Sequence, residues 1–344
     1  MELDARKLGI LKAIIDEYIM SASPVGSRAI SKHEGFHLSS ATIRNEMADL
    51  EELGYLEQPH TSAGRIPSDK AYRLYVDQMM QRAALSDDEI KLIRAHMSSR
   101  LDEVEAVMKQ TAQALSAVTN YTAMAMPPIL AANRLRHIQL VPLREGRALV
   151  VIVTTTGFAR DAIIRVPEDI QTGELESISR LLTERFYDCR MDQIGERIAS
   201  EMSGELFERR AFLCSVVEAI ERKMEPESPN VQLSGATNML HYPEYSDMNK
   251  AKTFLAAVEG RSMLYEMLKR ASKLEFSITI GNENQDEMFK DCSIVTATYQ
   301  VGDEPLGSFG IIGPTRMNYS KVISVLEYMR MSLSEMLSTD QDDE

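Results

Sequence analysis

The chain has 344 residues, of which 44% are hydrophobic and 26% charged, and carries a formal net charge of −14. That length accommodates two or three domains with sizeable cores. The three cysteines, Cys189, Cys214 and Cys292, are too widely spaced for a metal or redox pattern. The N-terminus lacks a charged-then-apolar signal and no apolar run reaches membrane-spanning length, so a cytoplasmic, soluble protein is expected.

In chain order, Leu8, Leu11, Ile15 and Tyr18 recur at helical spacing and predict a helix from Asp4 to Met20. Ser23-Pro24 reads as a cap with proline at the first helical position, opening a short helix from Val25 to Lys32. Glu34-Gly35-Phe36-His37 turns the chain into a third helix. That helix is capped by Ser39 and Ser40 and closed at Gly54, a residue suited to a left-handed turn. Ile43, Met47, Leu50 and Leu53 make its buried stripe. The opposite face carries Ala41, Arg44, Asn45 and Ala48. Two alanines allow close approach to a groove floor, and Arg and Asn suit guanine and adenine edges respectively. Asp49, Glu51 and Glu52 crowd the C-terminal half and would repel phosphates. Base reading is therefore expected from the N-terminal half, as in helix-turn-helix docking.

Gly54 to Glu57 then predicts a strand, Pro59 to Gly64 a turn, and Arg65-Ile66 a returning strand stopped by Pro67. The pattern is a winged helix-turn-helix with His60, Thr61, Ser62 and Arg65 offered at the wing tip for phosphates or a minor groove. With these, Ser27, Ser39, Ser40, Thr42, Arg44 and Asn45 complete the candidate DNA contacts. Arg44 reads either as a base reader or as a phosphate clamp, and His60 either as a contact or as a plain turn residue. The competing account of the whole region is a small helical bundle with a polar hairpin. Ser68 caps a further helix with Tyr72, Tyr75, Val76 and Met79 on its apolar face.

Charge qualifies this reading. Met1 to Arg82 holds 10 basic and 12 acidic residues, leaving 28 and 40 to the remainder. Non-specific affinity for DNA is expected to be weak, with base contacts and two-fold avidity supplying discrimination.

Beyond a linker around Arg82 to Asp88, Ser86 caps a predicted long helix with Ile90, Ile93, Met97, Leu101, Val104, Met108 and Leu115 on its packing faces. Met126-Pro127-Pro128 ends it. Three strands follow at Arg136 to Leu143, Ala148 to Thr155 and Phe158 to Val166, then helices at Gly173 to Tyr187 and Asp192 to Lys223. The two prolines between Glu225 and Asn230 mark a boundary. Met248 to Leu274 is helical, Phe276 to Gly281, Cys292 to Val301 and Gly307 to Ile312 are strands, and Tyr319 to Leu337 is a closing helix. This is an α+β multidomain pattern. Gly307, Gly310 and Gly313 lack the spacing and lysine of a phosphate loop and fit strand glycines better. His241, Glu244 and Asp247 fit a polar loop better than a metal site. No nucleophile-plus-base arrangement is readable, and the 21 methionines read as core filling.

The strings PVGSRAIS (Pro24 to Ser31), LSSATIRNEMADLEELG (Leu38 to Gly54), PHTSAGRIP followed by AYRLYVD, ITIGNEN (Ile278 to Asn284) and GIIGPTRMNY (Gly310 to Tyr319) resemble the heat-inducible repressor family HrcA. Ser68 and Ala71 depart from the Thr and Gly of that pattern. The resemblance implies a repressor of chaperone operons, not an enzyme, that binds the inverted repeat called CIRCE as a homodimer. It also implies that the GroEL chaperonin maintains the active form. For the fold it implies a winged helix-turn-helix at 1–83, a GAF-like domain at 84–130 and 228–344, and an inserted dimerisation domain at 131–227 with a three-stranded antiparallel sheet. No cofactor is expected. Two other functions remain open on the residues alone: a winged-helix regulator whose GAF-like domain binds a small molecule, and an enzyme with an ancillary DNA module.

Overall fold

A computed structural model describes residues 3–33, 38–60, 63–97, 104–128, 134–155, 159–201, 212–216, 218–219, 231–301 and 304–339. It is a mixed α+β molecule with antiparallel sheets of two, five and three strands. Its buried apolar residues fall into two clusters. One runs from Leu135 to Ala219, and the other gathers everything before and after it in sequence.

The N-terminal segment begins with α1 (Ala5–Ser21), whose cap Asp4 accepts the Lys7 backbone N–H at 2.8 Å. Ile10, Leu11, Ile14 and Ile15 make its buried face. The expected helix from Val25 to Lys32 shrinks to the single turn α2 (Ser27–Ile30), with Gly26 rather than Ser23 at its start. The reason is a competing partner. Val25 is extended and exchanges both backbone hydrogen bonds with Arg65, at 2.8 and 2.9 Å. α3 (Ser40–Glu52) is capped by Ser39, which accepts the Thr42 N–H at 3.1 Å. Gly54, at φ +76°, closes α3, while Tyr55 N–H returns to the Leu50 carbonyl at 2.9 Å. Leu53 sits at the C-cap and is half-buried, outside the buried stripe of Ile43, Met47 and Leu50. β1 (Leu56–Glu57) and β2 (Ile66–Pro67) pair antiparallel. α4 (Asp69–Leu74), capped by Ser68, runs on into a wider π-helical turn, Tyr75–Met79.

The predicted long helix after Ser86 is two helices packed together, α5 (Asp87–Met97) and α6 (Val104–Thr119), with Thr111 Oγ1 beside Met97 Sδ. The five-stranded sheet has the order β7-β3-β10-β9-β8, from β3 (Thr122–Ala125), β7 (Gln232–Ser234), β8 (Phe276–Ile280), β9 (Cys292–Val301) and β10 (Glu304–Pro314). α9 (Met248–Glu259) and α10 (Arg261–Ala271) replace one predicted helix, divided at Gly260. Ser308 Oγ bonds the Leu268 carbonyl of α10 at 2.8 Å, while on the opposite face Tyr299 reaches Met108 of α6. α11 (Tyr319–Thr339) packs on β9. With both faces covered, β3 is buried throughout and shows no alternation. The three glycines of the G-x-x-G-x-x-G string lie on β10, where a Cβ on Gly307 would stand 2.4 Å from the Tyr299 hydroxyl.

The second cluster is built on β4 (Leu135–Leu143), β5 (Arg147–Thr154) and β6 (Ala159–Arg165), in sequence order, with α7 (Thr172–Phe186) and α8 (Ile194–Glu201). α7 also seals the free edge of β4: Ile138 and Leu140 N–H donate to Thr183 Oγ1 at 3.0 Å and Ser179 Oγ at 2.8 Å. Among the described residues the other face of this sheet is uncovered. Val141, Leu149 and Ile163 stand opposite one another across three strands, with Val141 39% and Ile163 60% exposed.

Among the described residues no helix is long and apolar enough to cross a membrane. Cys189 and Cys292 are buried and Cys214 is exposed. Burial pushes the Cys292 thiol up to about 11, so it holds little thiolate at pH 8. Alkylation of the folded protein at that pH is expected to mark Cys214 first, and Cys189 and Cys292 only in denaturant. Mass mapping checks this, and rapid labelling of Cys292 in the folded chain would contradict it.

Candidate nucleic-acid interface

The exposed face of α3 is the one its spacing predicts: Ala41, Arg44, Asn45 and Ala48 are all exposed, over buried Ile43, Met47 and Leu50. Among the described residues neither Arg44 nor Asn45 is held by a hydrogen bond or ion pair. Four hydroxyls gather at the start of this helix. Ser39 Oγ lies 3.0 Å from Thr42 Oγ1, and Ser27 Oγ lies 3.0 Å from Ser40 Oγ. Ser39 is exposed; Ser27 is buried, so its hydroxyl ties α2 to the first turn of α3. Free N–H groups and the positive end of the dipole make such a helix start suited to a phosphate.

The hairpin divides its four candidates. His60 is exposed in the loop, its carbonyl accepting the Ala63 N–H at 2.8 Å. Thr61 and Ser62 lie outside the described residues. Arg65 is not at the tip. It sits where the loop enters β2, bridged to Val25, with Nε and Nη2 on Glu51 Oε2 at 2.8 and 2.7 Å. Pairing with α3 draws its guanidinium inward.

That ion pair alters the charge argument. Glu51 is taken by Arg65, while Lys7 of α1 reaches Glu46 at 2.7 Å and Asp49 at 2.9 Å. The two carboxylates hold the Lys7 ammonium pKa well above its ordinary value. The acidic half of α3 thus carries its own counter-charges, and Glu52 remains exposed. Arg28 and Lys32, both exposed beside the start of α3, extend the basic surface. Neither was among the residues the sequence singled out. Their four-residue spacing in PVGSRAISK was the available signal.

The HYPEYSD residues do separate work. Glu244 pairs with Arg316, Asp247 caps α9 by accepting the Asn249 N–H at 2.8 Å, and His241 is exposed.

Residues 105–323 match the family described as HrcA protein C terminal domain, well over half of the chain. The heat-inducible transcription repressor HrcA of Ruminiclostridium cellulolyticum is 44% identical, the alignment covering 97% of each chain. The chain belongs to the HrcA family. It is a family of transcription repressors, not of enzymes. The Brevibacillus brevis repressor is 43% identical over 98% of both chains. A crystal structure of a protein described only as hypothetical covers 98% of this HrcA-family chain at TM-score 0.62 and 24% identity, and so shares its fold. The curated relatives align through the N-terminal helices and hairpin as well as through the C-terminal region. In this HrcA-family chain the exposed row on α3 and the open face of β4-β5-β6 belong to separate cores.

Proposed function

We propose that this chain represses heat-shock operons by binding an inverted-repeat operator as a homodimer. Residues 1–83 form a winged helix-turn-helix in this reading, with α3 in a major groove and the β1-β2 hairpin as the wing. The observation that carries it is the exposed row Ala41, Arg44, Asn45 and Ala48, without side-chain partners among the described residues and flanked by the hydroxyl cluster at the helix start. Ser39, Ser40, Thr42 and His60 serve as phosphate contacts, while Ser27 acts by holding Ser40. Arg65 steadies the wing base and neutralises Glu51.

The two apolar cores support a division into a GAF-like domain, 84–130 with 228–344, and an inserted domain, 131–227. The open row Val141, Leu149 and Ile163 is the face on which two copies would meet. A two-fold dimer presents two reading helices to two half-sites related by the same axis. The family resemblance supplies CIRCE as the operator, GroEL as the partner that maintains the active form, and the cytoplasm as the place of action.

Footprinting on chaperone promoters, with sedimentation of the free protein, tests this. A dimer protecting an inverted repeat is expected. Leu149→Glu with Ile163→Glu should give a monomer that keeps single-half-site binding but loses about 100-fold on the full repeat. Wild-type protein that sediments as a monomer, or binds random DNA equally well, would overturn the reading.

A further inference from the structure

The strings ITIGNEN and GPTRMNY lie far from the reading helix in sequence, yet both end on the N-terminal segment. Arg73 of α4 donates from Nε to Glu283 Oε1 at 2.8 Å and from Nη2 to the Ile278 carbonyl at 2.7 Å. One turn earlier, Asp69 Oδ2 accepts the Asn282 backbone N–H at 2.9 Å and its side-chain Nδ2 at 2.8 Å. The carboxylate fits there because residue 281 is glycine. Gly281 has φ +52°, and a Cβ on it would stand 2.2 Å from Asp69 Oδ2.

A second clasp grips α1. Arg316 is only 8% exposed; it pairs with Glu244, lies over the Tyr242 ring at 5.5 Å, and donates from Nη1 to the Ile19 carbonyl at 3.0 Å. That carbonyl is in the last turn of α1, where helix carbonyls lack internal partners and a cation is favoured. Between the clasps the rings of Tyr72 and Tyr319 pack at 6.0 Å, both fully buried. Among the described residues the Tyr72 hydroxyl there has no hydrogen-bond partner.

The clasped elements are those that carry α3. α1 packs on α3, and Tyr75, directly after α4, bonds Asp16 of α1 at 2.8 Å. The covalent path to α5 is the non-helical stretch 80–86, itself held to α11 by Arg82 on Glu327 and by Ser320 Oγ on the Gln81 carbonyl. A rigid block on a short tether has its orientation set by whatever else holds it.

We propose that Asp69, Arg73 and Arg316, with Asn282, Glu283 and Glu244, are positioning residues that set the angle of the reading helix. The dimer thereby accepts one half-site spacing and rejects others. This rests on the inverted-repeat reading above. The clasps do not touch DNA. They convert the geometry of the five-stranded domain into a separation between two reading helices.

The test uses the full chain and duplexes carrying the footprinted half-site, either alone or as inverted repeats with spacers varied one base pair at a time. Wild-type protein should prefer one spacer sharply. Arg73→Ala and Gly281→Ala, the second removing no charge, should flatten that profile and cost about tenfold or more at the preferred spacer. Both should bind a lone half-site within about twofold of wild type, and Arg73→Lys, which keeps the charge but not the two-point fork, should restore only part of the spacer preference. Unchanged spacer profiles in both variants would overturn the proposal. So would half-site binding lost in step with full-site binding in both, since that reports general damage. Failure of the inverted-repeat reading shows separately, as a wild-type protein with no preferred spacer.

Discussion

An Arg44→Ala variant is expected to bind its operator about 1–3 kcal/mol more weakly per half-site and to lose discrimination at one base pair. Arg44 is exposed on α3 between Ala41 and Ala48, whose small side chains let the helix backbone approach a groove floor. Among the described residues its guanidinium has no hydrogen-bond or ion-pair partner, which would leave its donors for a guanine edge. Asn45, next on the same face, should behave alike toward adenine. The electrostatic setting raises the stake on these two contacts. Glu46, Asp49 and Glu51 are countered by Lys7 and Arg65, so α3 does not repel DNA as its composition suggests. The exposed basic surplus beside it is nevertheless small, and bulk attraction cannot replace a lost base contact. Competition binding with all four bases at each operator position measures the effect. Uniform weakening across sequences, with a salt dependence shallower by about one ion, would make Arg44 a phosphate contact.

Gly64→Ala should destabilise the N-terminal segment by about 2–5 kcal/mol, from overpacking strain together with two weakened backbone hydrogen bonds. A Cβ at this position would lie 2.5 Å from both the carbonyl carbon and oxygen of Val25, and 2.7 Å from the Pro24 carbonyl carbon. These are backbone atoms and cannot rotate aside. Relief requires separating Val25 from Arg65, whose paired bonds at 2.8 and 2.9 Å tie the chain before α2 to the hairpin. Movement of Arg65 would also release Glu51 of α3. Urea denaturation followed by helix signal, with hydrogen exchange at Val25 and Arg65, reads both consequences. An unchanged midpoint with protected amides would show that the hairpin absorbs the methyl group.

Much of the α3 surface was legible because its determinants are local. The Ser39 cap, the Ile43-Met47-Leu50 period and the Gly54 stop are all written within sixteen residues, and the exposed row follows from them by geometry. The three-stranded sheet was legible for a similar reason: with one face open, β5 alternates buried and half-buried residues after its exposed first residue. Failures occurred where a distant partner competed with a local signal. Ser23-Pro24 is a sound helix start, but pairing with Arg65 draws Val25 into an extended bridge. Arg65 looked like a tip residue, but the same bridge and Glu51 hold it where the loop enters β2. β3 left no alternation to read, since neighbours cover it on both faces. The mixed three- and four-residue apolar steps after Ser86 look the same whether the helix continues or folds back, and the packing of α5 on α6 settles which.

The amino-acid sequence by itself determined α3, its cap, its exposed Arg-Asn face and membership of a repressor family. Helix propensity, capping and side-chain periodicity act over a few residues, so they survive without knowledge of the rest of the chain. Only the tertiary structure decided how that helix is held. Arg73 meets Glu283 across 210 positions and Arg316 meets the Ile19 carbonyl across 297. Contacts at such separations depend on the whole fold closing, and no local pattern announces them.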